Sequence, residues 1–137
     1  MGQIKKIDLV CDLIYQASKI SKKSFRTLEE KDISAKEGFD LVTKVDQDSE
    51  LFLKEGLYQI DEKAGFLGEE SGKQDSLDSD KIWIVDPIDG TRNFVQGLPF
   101  FSISVALASK DLKKIYLGAI YDVVHDEMFI AEKGMGS

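Results

Sequence analysis

Apolar residues recur at every third or fourth position in the first part of the chain, which is the spacing of an amphipathic helix. Lysines and aspartates stand between them, so we predict a helix over residues 4–25 with one buried side. That side consists of Ile4, Ile7, Val10, Ile14, Ala17 and Ile20.

A second helix is predicted over residues 47–60. Leu53, Leu57 and Ile60 mark its buried side, and Asp46 occupies the position expected of its N-cap. The segment between the two helices is charged and weakly patterned. We therefore predict a loop or a frayed helix end over residues 27–38.

After residue 80 the apolar pattern changes to the alternation typical of β-strands. Earlier, the GFLG segment predicts a short strand that runs into a pair of glutamates, followed by a polar surface loop over residues 73–80. Helices followed by consecutive strands with short connections indicate an α+β fold, with an antiparallel sheet and helices packed on one face. The four later strands are predicted in KIWIVD, FFSISVALAS, KKIYLGAIYD and EMFIAE.

The composition narrows the classes of ligand. A net charge of -7 over 137 residues argues against nucleic acid as the primary ligand, because nucleic-acid-binding proteins usually carry a basic patch. Charged residues in the first turns argue against a signal peptide, and no apolar run has the length of a membrane span. The single cysteine, Cys11, suits a reducing compartment. We therefore expect a cytoplasmic protein with no membrane partner.

Acidic residues follow three of the apolar segments. They are Asp46 after LV, Glu69 and Glu70 after FL, and Asp86 and Asp89 after WIV. Strand ends often bring together side chains from distant positions, and several carboxylates in one cleft must become protonated or bind a cation. Oxygen ligands favour a hard ion such as Mg²⁺, which often completes its coordination with substrate phosphate. The pattern predicts a magnesium site if these strand ends converge.

Each of these residues also has a simpler interpretation when it is taken alone. Asp89 before Gly90 is typical of a turn, Asp46 of a helix cap, and two adjacent glutamates of a solvated surface. Lys36 is by default a solvated side chain, and Thr91 is by default a turn residue. Only the ordered set favours a functional site.

The proline of the DPIDGT segment gives its two aspartates a defined backbone geometry. Pro87 fixes its own φ and restricts Asp86 to an extended conformation, and the Ile88 carbonyl is available as a further hard ligand. Gly90 allows close backbone approach, and Thr91 is predicted to begin a short helix whose N–H groups would bind phosphate.

Four motifs occur together and in order: DLVTKVDQ, FLGEES, WIVDPIDGTRNFVQGLPFFSISVAL and GAIYDVVHDEMFIAEKGMGS. Through them the chain resembles the inositol monophosphatase family of magnesium-dependent, lithium-sensitive phosphatases over residues 4–137. The resemblance implies the N-terminal half of the layered α/β sugar-phosphatase fold, and a homodimer in the full-length protein. It also implies hydrolysis of a small sugar or polyol phosphate by metal-activated water.

The resemblance further implies a set of metal ligands. Glu69, Asp86 and the Ile88 carbonyl would bind one Mg²⁺, and Asp86 and Asp89 would share in binding a second. Glu70 is a further candidate because it stands beside Glu69.

Other matching residues are implied to act on substrate and water. Gly90 and Thr91 would hold the substrate phosphate through backbone N–H groups. Asp46 and Thr91 would orient the attacking water and help to deprotonate it. Lys36 resembles the lysine of a mobile loop in the family.

The sequence leaves the substrate open among family substrates, namely inositol monophosphate, fructose 1,6-bisphosphate and a 3'-phosphorylated adenosine nucleotide. In the family a second α/β domain supplies another metal-binding aspartate and most residues that contact the substrate. The chain ends directly after a predicted strand, so we expect residues 1–137 to be a metal-binding N-terminal domain without its C-terminal partner, and poorly active alone. The alternative is a non-catalytic module that docks a protein partner.

Overall fold

The computed structural model describes residues 2–35 and 41–137. Helices and strands follow one another in these ranges, and a short 3-10 helix precedes the first strand. In chain order the elements are α1 (Lys6–Ser24), β1 (Ile33–Ala35), β2 (Leu41–Thr43), α2 (Lys44–Ile60), β3 (Gly65–Gly68), β4 (Gly72–Gln74), β5 (Lys81–Asp89), α3 (Thr91–Val95), β6 (Ser102–Ser109), β7 (Ile115–Asp122) and β8 (Glu127–Glu132).

One six-stranded sheet forms the centre of the fold, with the strand order β4-β3-β5-β6-β7-β8. Strands β3 and β5 are parallel, because β4 returns the chain antiparallel to β3 before β5 begins. The other neighbouring strands are antiparallel. Strands β1 and β2 make a separate antiparallel pair. The predicted α+β fold is confirmed, and the predicted antiparallel sheet is correct except at the parallel β3–β5 pair.

The two long helices pack on one face of this sheet. Helix α1 contacts α2 and lies over β6 and β7, whereas α2 lies over β5. Alternate residues of β6, namely Ile103, Val105 and Leu107, are buried beneath the helices, as period-two alternation requires. The opposite face keeps apolar side chains in contact with solvent, and Phe129 is 58% exposed there. No helix in the described part of the chain combines the length and the apolar character of a membrane span.

The structure corrects several element boundaries. Ile4 lies before α1 and is 70% exposed, so it does not extend the buried side of that helix. The predicted loop over residues 27–38 contains the 3-10 helix Glu30–Asp32 and strand β1, and the polar loop predicted from residue 73 begins within β4. Three-residue strands of this kind depend on hydrogen bonds to a neighbouring strand, which their own sequences do not reveal.

Candidate functional site

Strand β5 carries both aspartates of the DPID segment on one face of the sheet. Asp86 pairs with Ser104 and Asp89 pairs with Ser102, so a step of three residues on β5 matches a step of two on β6. Residues three apart in a regular strand point to opposite faces, and the extra residue of this bulge returns both aspartates to the same face. That face is opposite the helices, because Val85, the residue before Asp86, belongs to the helix-covered core.

The first glutamate of the FLGEES motif lies beside the first of these aspartates. Strand β3 runs parallel to β5, and the backbone N–H of Glu69 donates to the Val85 carbonyl at 3.3 Å. The carboxyl groups of Glu69 and Asp86 share a hydrogen bond. Burial, followed by this hydrogen bond and the charges of Glu69 and Asp89, raises the pKa of Asp86 to about 8. Burial, together with the neighbouring carboxyl groups, therefore favours a protonated Asp86 at neutral pH.

The chemistry of this pair fits a hard divalent cation. The Oδ1 atom of Asp86 is buried and has no hydrogen-bond partner among the described residues, which is costly for a polar oxygen. A bound cation would satisfy that oxygen and relieve the repulsion between neighbouring carboxylates. Within residues 2–35 and 41–137, no three Asp, Glu, His or Cys side chains already stand together as a metal-binding group. The assignment of Glu69, Asp86, Ile88 and Asp89 as metal ligands therefore stays a prediction.

A second network lies on the helix side of the same strand end. Asp46 is fully buried in the first turn of α2, and its Oδ2 atom accepts hydrogen bonds from the Thr43 N–H at 2.9 Å and the Thr43 hydroxyl at 2.5 Å. The Asp46 N–H donates in return to Thr43 Oγ1 at 3.2 Å, which makes Thr43 the N-cap. The prediction of Asp46 as the N-cap was wrong, because the helix begins at Lys44 and Asp46 is its third residue.

The Thr91 hydroxyl connects this network to the DPIDGT segment. Its Oγ1 atom lies 3.0 Å from Asp46 Oδ1 and 3.0 Å from the Ile88 carbonyl oxygen. A hydroxyl has one proton to donate and two lone pairs. Since both neighbours are acceptors, Thr91 can donate to one of them while its own oxygen remains able to accept a proton.

Glycine is required where the DPIDGT segment turns into α3. Gly90 has a φ of +96°, and a Cβ atom there would lie 2.8 Å from the Phe100 carbonyl oxygen. Helix α3 is held in place by Phe94, which is fully buried and packs against Phe25 and Phe101 with ring centroids 5.8 and 4.9 Å away. The predicted short helix at Thr91 is confirmed, and the backbone of Gly90 is fixed at its start.

Neither Thr43 nor Glu50 was predicted as a site residue, although both shape the site. Thr43 caps α2 and holds Asp46, whereas Glu50 is 3% exposed and accepts hydrogen bonds from the backbone that follows Glu69. A signal was present for Glu50, because an acidic residue four positions after Asp46 falls on the buried side of α2. Of the two remaining candidates, Glu70 contributes its backbone N–H to this contact. Lys36 lies outside the described residues.

We expect the metal-free protein to lose stability as the pH rises from about 4 to about 8. The pKa of Asp86 is near 3.8 in an unfolded chain and about 8 in the folded protein, so the folded state binds more protons across this interval. Stability falls with pH wherever the unfolded state binds fewer protons. Chemical denaturation in the presence of EDTA, at several pH values across the interval, measures this slope.

The control for this pH dependence is Asp86→Asn, which removes the titrating group and should flatten the slope. An unchanged slope in that variant would show that other groups produce it.

The chain also matches a known protein family in its sequence. The model of the inositol monophosphatase family matches residues 4–137. An inositol-1-monophosphatase of Rhizobium meliloti (strain 1021) is 32% identical over 137 residues, which is 100% of this chain and 51% of that protein.

Solved structures show the same likeness. The extragenic suppressor protein suhB from Bartonella henselae superposes with a TM-score of 0.86 at 36% identity, over 96% of this chain and 49% of that one. An IMPase/NADP phosphatase complexed with Mg²⁺ and phosphate has a TM-score of 0.79 at 27% identity, over 95% of this chain and 48% of its own. The chain thus spans about half the length of the relatives that it matches.

Proposed function

Because the chain belongs to the inositol monophosphatase family, we propose that it forms the metal-binding part of a magnesium-dependent phosphomonoesterase that acts on a small sugar or polyol phosphate. The observation that carries this proposal is the carboxyl pair of Glu69 and Asp86, with a buried Asp86 oxygen that has no hydrogen-bond donor in the described part of the chain. The contact between Thr91 and Asp46 at the same strand end supports it.

The metal ligands of the proposed site come from two adjacent strands. Glu69 at the end of β3, with Asp86, Asp89 and the Ile88 carbonyl of β5, would hold Mg²⁺. When bound, Mg²⁺ supplies positive charge that activates water and stabilises the departing alkoxide. A solved relative that is complexed with Mg²⁺ and phosphate supports the choice of metal.

The remaining residues would handle phosphate and protons. Gly90 and Thr91 would donate backbone N–H groups to the substrate phosphate, because they stand at the start of α3, where N–H groups have no partner within the helix. As water attacks phosphorus in line, its oxygen forms a P–O bond while the bond to the alcohol oxygen breaks. The proton lost by water would pass to the Thr91 oxygen, whose own proton moves to Asp46, 3.0 Å away.

The substrate class is proposed only as far as a phosphate ester of a small polyol. A 3'(2'),5'-bisphosphate nucleotide and fructose 1,6-bisphosphate are the alternatives within the same superfamily. We also propose that residues 1–137 act as one metal-binding domain of a longer cytoplasmic protein, which forms a homodimer. Lys36 and Glu70 are further candidates for contacts at this site.

The test is phosphate release by the complete gene product that contains this chain, measured against Mg²⁺ concentration. The substrates are inositol 1-phosphate, fructose 1,6-bisphosphate and adenosine 3',5'-bisphosphate. We expect release that requires Mg²⁺ and is inhibited by Li⁺. A protein that binds partners but hydrolyses none of the three would be a docking module, and the proposed function would then be wrong.

A further inference from the structure

A buried acidic residue lies one helical turn beyond Asp46 on the same side of α2. Glu50 is 3% exposed, although glutamate is rarely buried without partners. Positions four apart on a helix share a face, so α2 presents Asp46 and Glu50 together toward the sheet. Burial of a carboxylate is costly unless its oxygens accept hydrogen bonds, and both oxygens of the Glu50 carboxylate do so.

Both oxygens of this carboxylate bind the loop between β3 and β4. Oε1 accepts the Glu70 N–H at 2.8 Å, and Oε2 accepts the Ser71 N–H at 2.8 Å. Hydrogen bonds to an ionised acceptor are among the stronger ones in proteins. Gly68 makes the close approach possible, since a Cβ atom there would lie 2.4 Å from Glu50 Oε1.

The loop held by Glu50 begins with Glu69. The Glu69 N–H donates to the Val85 carbonyl on β5, and the two amides that follow it donate to Glu50 on α2. The loop backbone is therefore fixed from the strand and from the helix. Fixing the backbone on both sides limits where the Glu69 carboxyl can lie, and it lies beside Asp86.

We propose that Glu50 is a positioning residue, which holds loop 69–71 so that the Glu69 carboxyl stays beside Asp86 as a ligand for the divalent cation. The inference rests on the proposed function of this site. Through Asp46 and Glu50, one helix would set the positions of Thr91 and of Glu69, which come from separate segments. Glu50 itself acts through the loop, since its oxygens are occupied by backbone amides.

The experiment compares Glu50→Gln with Glu55→Gln, the same substitution at an exposed position of the same helix. Glutamine keeps the size of the side chain, but its NH₂ group would face one of the loop amides, donor against donor. We expect Mg²⁺ affinity, measured by titration calorimetry well below the unfolding temperature, to fall by about 10- to 100-fold, as for other residues that orient metal ligands. Exchange of the Glu70 and Ser71 amide protons should become faster, and the Glu55→Gln protein should match the parent in both measurements.

A residue that merely stabilises the hairpin would lower the unfolding temperature and leave the Mg²⁺ affinity of the folded protein unchanged. That result would overturn the inference. A positioning role also predicts that hydrolysis by Glu50→Gln recovers toward the parent rate at saturating Mg²⁺, because the defect lies in binding the ion. If Glu50→Gln does not fold, Gly68→Ala, which displaces the carboxylate sterically, should show the same loss of Mg²⁺ affinity, and parental affinity there would overturn the inference.

The outcomes separate the two proposals. Mg²⁺ binding that is weakened in Glu50→Gln, without hydrolysis of any substrate by the parent protein, would support the positioning role and contradict the proposed function. Hydrolysis by the parent protein, together with equal Mg²⁺ affinity in Glu50→Gln and Glu55→Gln, would support the proposed function and contradict the positioning role. A parent protein that binds no Mg²⁺ would contradict both.

Discussion

Replacing Asp86 by asparagine is expected to lower kcat/KM for phosphate-ester hydrolysis by about 1000-fold, because it removes a negatively charged oxygen from the centre of the proposed metal site. The pKa of the Asp86 carboxyl is raised to about 8 by burial and by the neighbouring carboxyl groups of Glu69 and Asp89. Asparagine has nearly the same shape but offers only one oxygen, without charge. It would leave the remaining carboxylates unable to hold the cation as tightly.

The same variant should fold as well as the parent protein. In the absence of metal, a carboxyl with this raised pKa is largely neutral below pH about 8, so asparagine replaces a group that is already uncharged. Activity and folding stability are measured separately, by steady-state phosphate release at an Mg²⁺ concentration that just saturates the parent protein and by chemical denaturation in EDTA. Asp78→Asn is the matched control, since it is exposed in the loop before β5. Activity of Asp86→Asn within tenfold of the parent would contradict the role given to Asp86.

The order of the predicted helices and strands was enough to predict the fold class, and the sequence also showed which strands carry acidic residues. Alternation in β6 and the three- and four-residue spacing in α1 are local signals, because each residue's burial depends on the period of its own element. The sequence left open whether the acidic strand ends converge, and the structure brings Glu69 and Asp86 together. What it adds is the bulge after Asp86, which decides that Asp89 shares the face of Asp86.

Other features depend on contacts between distant segments, so no local pattern could predict them. The burial of Asp46 depends on Thr43, which caps α2, and on Thr91, which contacts Asp46 from 45 residues further along the chain. The sequence alone predicts a solvated helix residue at Glu50, because only the folded structure places the β3–β4 loop against it. The structure also changes the meaning of Asp46, which was considered as a helix cap or a catalytic residue. It is a member of the capping box and a hydrogen-bond acceptor for Thr91 at once.

Substitution of Thr91 by valine is expected to lower kcat by about 100-fold or more while changing KM little, because the proposed role of the hydroxyl is proton transfer. Valine preserves the size and branching of threonine but cannot accept a proton from water or donate one to Asp46. The variant also leaves Asp46 Oδ1 without its donor, and a buried acceptor in that state costs about 1–3 kcal/mol of stability. Thr91→Ser restores the hydroxyl and should recover most of the rate.

The loss in Thr91→Val must be separated from a general loss of folded protein. Rates are therefore normalised to folded protein at a temperature below the unfolding transition, and Thr27→Val, at an exposed position after α1, is the matched control. Phosphate binding through the backbone N–H groups of Gly90 and Thr91 does not need the side chain, so inhibition by inorganic phosphate should be similar in parent and variant. A rise in KM with an unchanged kcat would assign the Thr91 hydroxyl to substrate binding, and the proton path through Asp46 would then be wrong.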